Sequence, residues 1–259
     1  MATEYLPETI ACISRIAANG GSISNSSILA VDLFVRALFD GGLWDKIKDM
    51  GVFAGGQLAA ALVKLKNLPG SPSVLTNLNF VAGDYAETGA SGGLLGNGAT
   101  KALRTGVAQS ALGPAAHASF YLREAMPNTS IHAMLGAGTA GEDFVLMQTT
   151  TEMRALYGKA VFANIADLGT GFWCVNRTGS ADLVLYKNGA PVAVNATAAT
   201  PGSTSNDFAL FAENVDGTNT NYLNRRGCFY SLGDPLNAAE MAALYGAVQA
   251  LQTALNRQA

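Results

Sequence analysis

Several short stretches of this sequence carry residue types and spacings that could do chemistry. The run GGLLGNGATKALRTG, Gly92 to Gly106, is glycine-rich and contains Thr-Lys, a composition able to cradle a phosphate. A phosphate loop needs four residues between its first glycine and a Gly-Lys pair followed by Ser or Thr, whereas Gly98 is followed by Ala99, Thr100 and Lys101. The spacing fails. A second series, Gly136, Gly138 and Gly141 in LGAGTAGEDF, does fit the G-x-G-x-x-G dinucleotide pattern. That site would need a helix to open at the turn, and EDFVLMQTTTEMRALYG reads instead as strands. In ENVDG, Asn214, Asp216 and Gly217 stand at the third, fifth and sixth places of a calcium loop, but Ala212 and Leu223 occupy the two end-ligand places. A turn capped by Asx side chains accounts for the same residues.

Acid–base and nucleophilic chemistry finds little to use. His117 and His132 are the two histidines, neither in a metal or nucleophile motif, and His117 within AAHASFYL reads as a sheet residue. GTGFW and GSADL lack the G-x-S-x-G elbow of a serine nucleophile. Paired carboxylates could cleave a glycoside, yet Glu142 and Asp143 are adjacent, and Glu213 and Asp216 are three apart. Either spacing sends the two side chains to opposite faces of a strand. We therefore expect no catalytic residues, no metal and no cofactor. Cys12, Cys174 and Cys228 lie far apart and read as buried thiols.

The elements that must carry these residues change character along the chain. Pro7 suits a first helical turn, and Ile10, Ile13, Ile16 and Ala17 recur at helical spacing. A second helix is expected to start at a Ser26 or Ser27 cap, to bury Val31, Val35 and Leu38, and to stop at Gly41-Gly42. LWDKIKDM reads as a short third helical turn. From Gly51 on, short apolar runs alternate with Gly, Pro, Asn, Ser and Thr in the manner of an all-β sandwich or jelly roll. ADLVLYKNGAPVAVNA predicts a hairpin around Asn188-Gly189, a dipeptide that accepts the positive φ angles of a type I′ turn. NDFALFAEN and RRGCFYSLG read as further strands. A closing helix over 237–257 has Asn237 and Glu240 as a capping pair and one stripe of Met241, Leu244, Tyr245, Val248, Leu251 and Leu255.

Composition sets the outer limits. With 49% hydrophobic and 14% charged residues the chain folds rather than remaining disordered. Sixteen basic residues against 19 acidic ones, with no basic cluster, argue against nucleic acid as a partner. Runs such as LAAALV are far shorter than a membrane span, and MATEYLPETIACISR does not read as a secretory signal. Sequons at Asn25, Asn128, Asn176 and Asn195 are at chance level for a chain this rich in Ser and Thr.

Four pieces of the chain, in order, resemble the concanavalin A-like, laminin-G-like jelly-roll proteins of bacteriophage virions. They are VDLFVRALFDGGLWDKIKDMGVFAG (Val31 to Gly55), NFVAGDYAETGASGGLLGNGATKALRTG (Asn79 to Gly106), LYKNG, and NRRGCFYSLGDPLNAAEMAALYGAVQALQTAL (Asn224 to Leu255). The resemblance implies that the glycine run joins early strands, that Gly96 and Gly98 permit tight turns, and that Lys101 is a solvated strand residue. This chain departs from the family in carrying Ala102 where an aromatic is usual. It also lacks the two glutamates flanking an aspartate that mark glycan-cleaving relatives.

The expected architecture is a mainly β jelly-roll sandwich over 51–259, preceded by a helical segment over 1–50 and including the closing helix. The resemblance further implies a non-enzymatic tail, fibre or capsid-decorating component. Such a component would assemble in the host cytoplasm, with other virion proteins and copies of itself as partners and host glycans as a ligand. A polysaccharide depolymerase and a cellular carbohydrate-binding module are the alternatives. Within the loop VDGTNTNYLNRR, Asn219 and Asn221 offer amides, Tyr222 a ring to stack on a sugar, and Arg225 a cation for an acidic substituent.

Overall fold

A computed structural model describes residues 4–126, 129–140, 142–158, 162–198 and 203–259, the side chains of residues 142, 143 and 162 excepted. In chain order the first half contains helices α1 (Pro7–Ala18) and α2 (Asn25–Asp40), strand β1 (Ile47–Gly51) and the short helix α3 (Leu58–Ala61). Strands β2 (Thr76–Leu78), β3 (Tyr85–Ala86), β4 (Gly93–Leu95), β5 (Ala102–Ala108), β6 (Ala116–Leu122) and β7 (His132–Thr139) follow. The second half continues with β8 (Glu142–Gln148), β9 (Met153–Tyr157), β10 (Phe162–Ile165), β11 (Gly171–Arg177), β12 (Leu183–Lys187) and β13 (Ala190–Asn195). It ends with β14 (Asp207–Leu210), β15 (Glu213–Val215), β16 (Thr218–Thr220), β17 (Arg226–Gly233) and helix α4 (Ala238–Ala254).

The strands form two antiparallel sheets packed as a sandwich. The first has the order β13-β12-β11-β6-β17-β4-β3, with β1 also paired to β17; the second has the order β10-β9-β8-β7-β14-β5-β2. The hairpin of β15 and β16 joins the second sheet through a parallel pairing of β15 with β7. Phe120, Trp173, Leu185 and Tyr230 from the first sheet meet Leu103, Leu135, Phe144 and Phe208 from the second in one apolar layer. The other face of the first sheet is also covered: Tyr121, Phe172, Cys174 and Phe229 pack under α2 and α4. Burial on both faces explains why AHASFYL and GFWCVNR are buried at every position, whereas β9, with one open face, alternates.

The helices follow local signals with some shifts. Ser24, rather than Ser26 or Ser27, caps α2, its Oγ accepting from the Ser27 amide at 3.2 Å. Val31, Val35 and Leu38 are buried and the helix stops at Gly41, as expected. In α1 the buried face is Thr9, Cys12 and Ile16, and Ile10 is 50% exposed, so the stripe is rotated from the expected one. Cys12 and Ile16, four apart, are what docks α1 in the helical layer. The run LWDKIKDM does not form a helical turn throughout; its second half is strand β1. A bulge between Ile47 and Asp49 puts Ile47 and Met50 into the same apolar layer, a three-residue interval that reads as helix in the sequence. The 50/51 boundary therefore falls inside a strand.

The glycine run is a strand-to-strand turn closed on itself. Asn97 Oδ1 accepts hydrogen bonds from the amides of Ala99, Thr100 and Lys101 at 3.1, 2.9 and 3.1 Å. The donors that a phosphate would need are thus used by a neighbouring side chain. A Cβ at Gly96 would stand 2.1 Å from the Leu223 carbonyl oxygen, and Gly98 has φ +71°, so the turn requires glycine at both places. Lys101 is not a solvated residue: its ammonium lies 2.5 Å from Asp84, with side chains 18% and 13% exposed. Burial pushes the Asp84 carboxyl up, but the hydrogen bonds from Lys101 and the Val81 amide outweigh it and hold the group below its ordinary value. Lys101→Ala is expected to cost about 0.5–1 kcal/mol in urea unfolding, the upper range for a partly screened pair; a gain in stability would contradict the pairing.

Candidate functional site

The outer face of the second sheet carries a hydrogen-bonded polar array that includes residues marked by the sequence. Along β5 and β14, Leu103, Phe208 and Leu210 point into the sandwich, so alternation sends Ala102, Arg104 and Ala209 outward. Ala102, Ala209 and Ala212 make a small floor on which Leu78 and Tyr222 pack. The small side chain at position 102 thus leaves room for the Tyr222 ring.

Beside this floor the side chains are joined by direct hydrogen bonds. Arg104 donates from Nε and Nη2 to Asp207 Oδ1 at 2.9 and 2.6 Å and from Nη1 to Asn219 Oδ1 at 2.8 Å. Asp207 Oδ2 accepts from the Gly106 amide at 2.9 Å, which fixes the carboxylate. Asn214 donates to the Asp207 carbonyl at 2.7 Å. Asn221, in the left-handed region at φ +52°, donates to Glu213 Oε2 at 3.0 Å. Asp216 and Gly217, with φ of +49° and +85°, form the tight turn between β15 and β16. Asp216 Oδ2 accepts from the Ala140 amide at 3.1 Å, so a carboxylate oxygen that matched the calcium pattern is taken up by a protein donor.

Of the four expected contact residues, the structure brings Asn219, Asn221 and Tyr222 to this face and separates Arg225 from them. Arg225 donates from Nε to the Ala125 carbonyl at 2.6 Å and from Nη1 to that of Asn224 at 2.9 Å. The segment is not one open loop, because β15 and β16 occupy its first half. Arg104 and Asp207 were missed by sequence reading. They stand 103 residues apart, and only the register of β5 on β14, with Ala209 opposite Arg104, brings them together. No local pattern encodes that.

The other candidate groups are engaged in the interior or in turns. Gly136 and Gly138 lie on β7, which leads into strand β8 and not into a helix; Gly141 falls outside the described residues. The side chains of Glu142 and Asp143 fall outside them too. Glu213 and Asp216 bond to Asn221 and the Ala140 amide respectively and do not face one another as a couple. All three cysteines are buried free thiols, and burial pushes the Cys12 thiol up to about 11. Among the described residues, no cluster of three or more His, Cys, Asp and Glu could hold a metal ion.

His117 is a sheet residue on β6, fully buried, with Nδ1 2.6 Å from the Asp234 carbonyl and Nε2 3.0 Å from Ser231 Oγ. Burial pushes its pKa down to about 4 against the pull of Asp234. The folded protein therefore holds His117 neutral where the unfolded chain protonates it, and stability is full above about pH 6.5 and lost as pH falls toward 4. From the two pKa values that loss is on the order of 3 kcal/mol. Urea unfolding of His117→Gln between pH 4 and 7 is expected to show a shallower pH slope than the parent; equal slopes would refute the assignment.

No protein-family model matches the chain, and no curated protein matches it. Solved structures do. Domain 4 of AbnA, a GH43 extracellular arabinanase from Geobacillus stearothermophilus in complex with arabinotriose, aligns at 15% identity and TM-score 0.53, covering 77% of this chain and 98% of that one. A Trypanosoma rangeli sialidase mutant displaying trans-sialidase activity aligns at 16% identity and TM-score 0.52, covering 90% of this chain and 40% of that one. The same organism's sialidase in complex with the inhibitor DANA aligns at 17% and 0.51, covering 83% and 38%. This chain thus spans about two fifths of the sialidases' length. These likenesses establish the fold, a jelly-roll-like β-sandwich.

Proposed function

We propose that this chain is a glycan-binding β-sandwich that acts by recognition rather than by catalysis. The observation that carries the reading is the array of Arg104, Asp207, Asn219, Asn221 and Glu213 beside the half-buried ring of Tyr222. Fixed amide, guanidinium and carboxylate groups match the paired donors and acceptors of sugar hydroxyls, and an aromatic edge or face covers the apolar side of a pyranose. Residues on strands hold such groups more rigidly than a free loop would. The complex of the arabinanase domain with arabinotriose shows this kind of sandwich serving a glycan in that protein.

Binding is favoured over cleavage because the described acids on this face serve other groups. Asp207 holds Arg104 and the Gly106 amide, and Glu213 holds Asn221. The setting is the outer surface of a bacteriophage particle, as a tail, fibre or decorating component assembled with copies of itself and other virion proteins. The four sequence pieces that resemble such proteins support this part.

The direct test is a glycan array probed with the purified chain and with Tyr222→Ala combined with Asn219→Ala. The parent is expected to retain at least one class of glycan, and the double variant to lose it while its thermal midpoint stays within a few degrees. Retention by the double variant would place binding elsewhere. Mass spectrometry of purified particles tests the virion setting, which fails if the chain is absent from them.

A further inference from the structure

Resting on the glycan reading of this face, we infer that the ligand is an uncharged, hydroxyl-rich glycan and that sialic and uronic acids are disfavoured. The sign of the surface decides this. Arg104 and Asp207 balance one another at 2.6 Å, and the exposed carboxylate of Asp216 on the adjoining hairpin turn leaves the surface negative. Arg104 is already committed, with three of its nitrogens bonded to Asp207 and Asn219 at 2.6 to 2.9 Å.

The described cations that flank these strands in sequence are held as well. Arg225 is tied to two backbone carbonyls, and Lys101 is 2.5 Å from Asp84. Arg226 lies 3.2 Å from Glu124 and donates to the Ser91 carbonyl. A carboxylate ligand needs a cation with a free donor edge, and pairing it here would require breaking one of these contacts.

Hydroxyl groups face no such conflict. A sugar hydroxyl both donates and accepts, so it can donate to a carboxylate oxygen of Asp207 or Asp216 and accept from the amide nitrogen of Asn219. A ligand carboxylate only accepts and would meet like charge across the same atoms. The specificity thus follows from exclusion of charge as much as from attraction.

The experiment compares one immobilised biantennary glycan in its sialylated and asialo forms, together with a neutral and a uronic-acid polysaccharide, at neutral pH and low salt. The expected result is retention of the neutral partner by about tenfold over the acidic one, the scale of a like-charge contact near a surface. Both raising the salt and the Asp216→Asn variant should narrow that gap. Equal or tighter binding of the sialylated or uronic form overturns the inference and leaves the glycan reading standing. A gap that responds to neither salt nor Asp216→Asn also overturns it, since the discrimination would not be electrostatic. Failure of the folded parent to retain any glycan overturns the glycan reading itself, and the inference with it.

Discussion

Replacing Lys64 by methionine is expected to destabilise the protein by about 3–5 kcal/mol, the usual cost of leaving one member of a buried ion pair without its partner. Lys64 and Asp49 have side chains at 0% exposure, with Nζ 2.8 Å from Oδ2. The ammonium also donates to the Thr105 carbonyl at 2.6 Å, and Tyr230 donates to the other carboxylate oxygen at 2.7 Å. One lysine therefore joins β1 and β17 of the first sheet to β5 of the second. Burial pushes the Asp49 carboxyl up and the Lys64 ammonium down, each against the attraction of the other. The interior holds the charges only as a pair. Urea unfolding of Lys64→Met, Asp49→Leu and the double variant checks this: the double should cost less than the two singles summed. A single variant within about 1 kcal/mol of the parent would mean that the pair contributes little.

The helical layer should be equally indispensable. Leu244 and Leu251 of α4 are 0% and 2% exposed and sit in the apolar layer with Phe34, Val35 and Phe229. Truncating a buried leucine to alanine costs about 2–5 kcal/mol, because the surroundings close only part of the cavity. Leu244→Ala with Leu251→Ala should remove most of the stability of a domain whose total is typically about 5–15 kcal/mol. Circular dichroism is expected to show a thermal midpoint lowered by ten degrees or more, a scale that follows from the entropy of unfolding. A double variant that melts like the parent would show that α4 contributes nothing through this face.

What the sequence revealed was whatever is decided within a few residues. The hairpin at Asn188-Gly189 is legible because the turn geometry, φ of +49° and +77°, is a property of that dipeptide. The capping pair of α4 is legible for the same reason: Asn237 accepts from the Glu240 amide at 3.0 Å and Glu240 accepts from that of Asn237 at 2.9 Å. Strand β1 was hidden because a bulge mimics helical spacing, and the buried face of α1 because its partners are distant in sequence. Tyr222 and its neighbouring amides could be named as polar groups able to contact a ligand. Arg104 and Asp207, which organise them, could not, since the pairing of β5 with β14 is a tertiary fact.

The closing of the helical layer has a consequence for the order of events when this chain folds. Strand β1 pairs along its length with β17, beside one bridge from Met50 to Lys66, and α2 packs on α4, so residues 25–51 find their main partners in residues 226–254. Contacts this far apart carry the loop-closure entropy of nearly the whole chain, which slows two-state and multistate folding alike. During synthesis the first two helices must wait, with Phe34, Val35 and Leu38 uncovered, until the last strand and helix have left the ribosome. The sandwich can close once β17 has inserted between β6 and β4, before α4 docks. The layer over its first sheet cannot, and refolding followed at Trp44 beside that layer should lag behind refolding followed at Trp173 between the sheets.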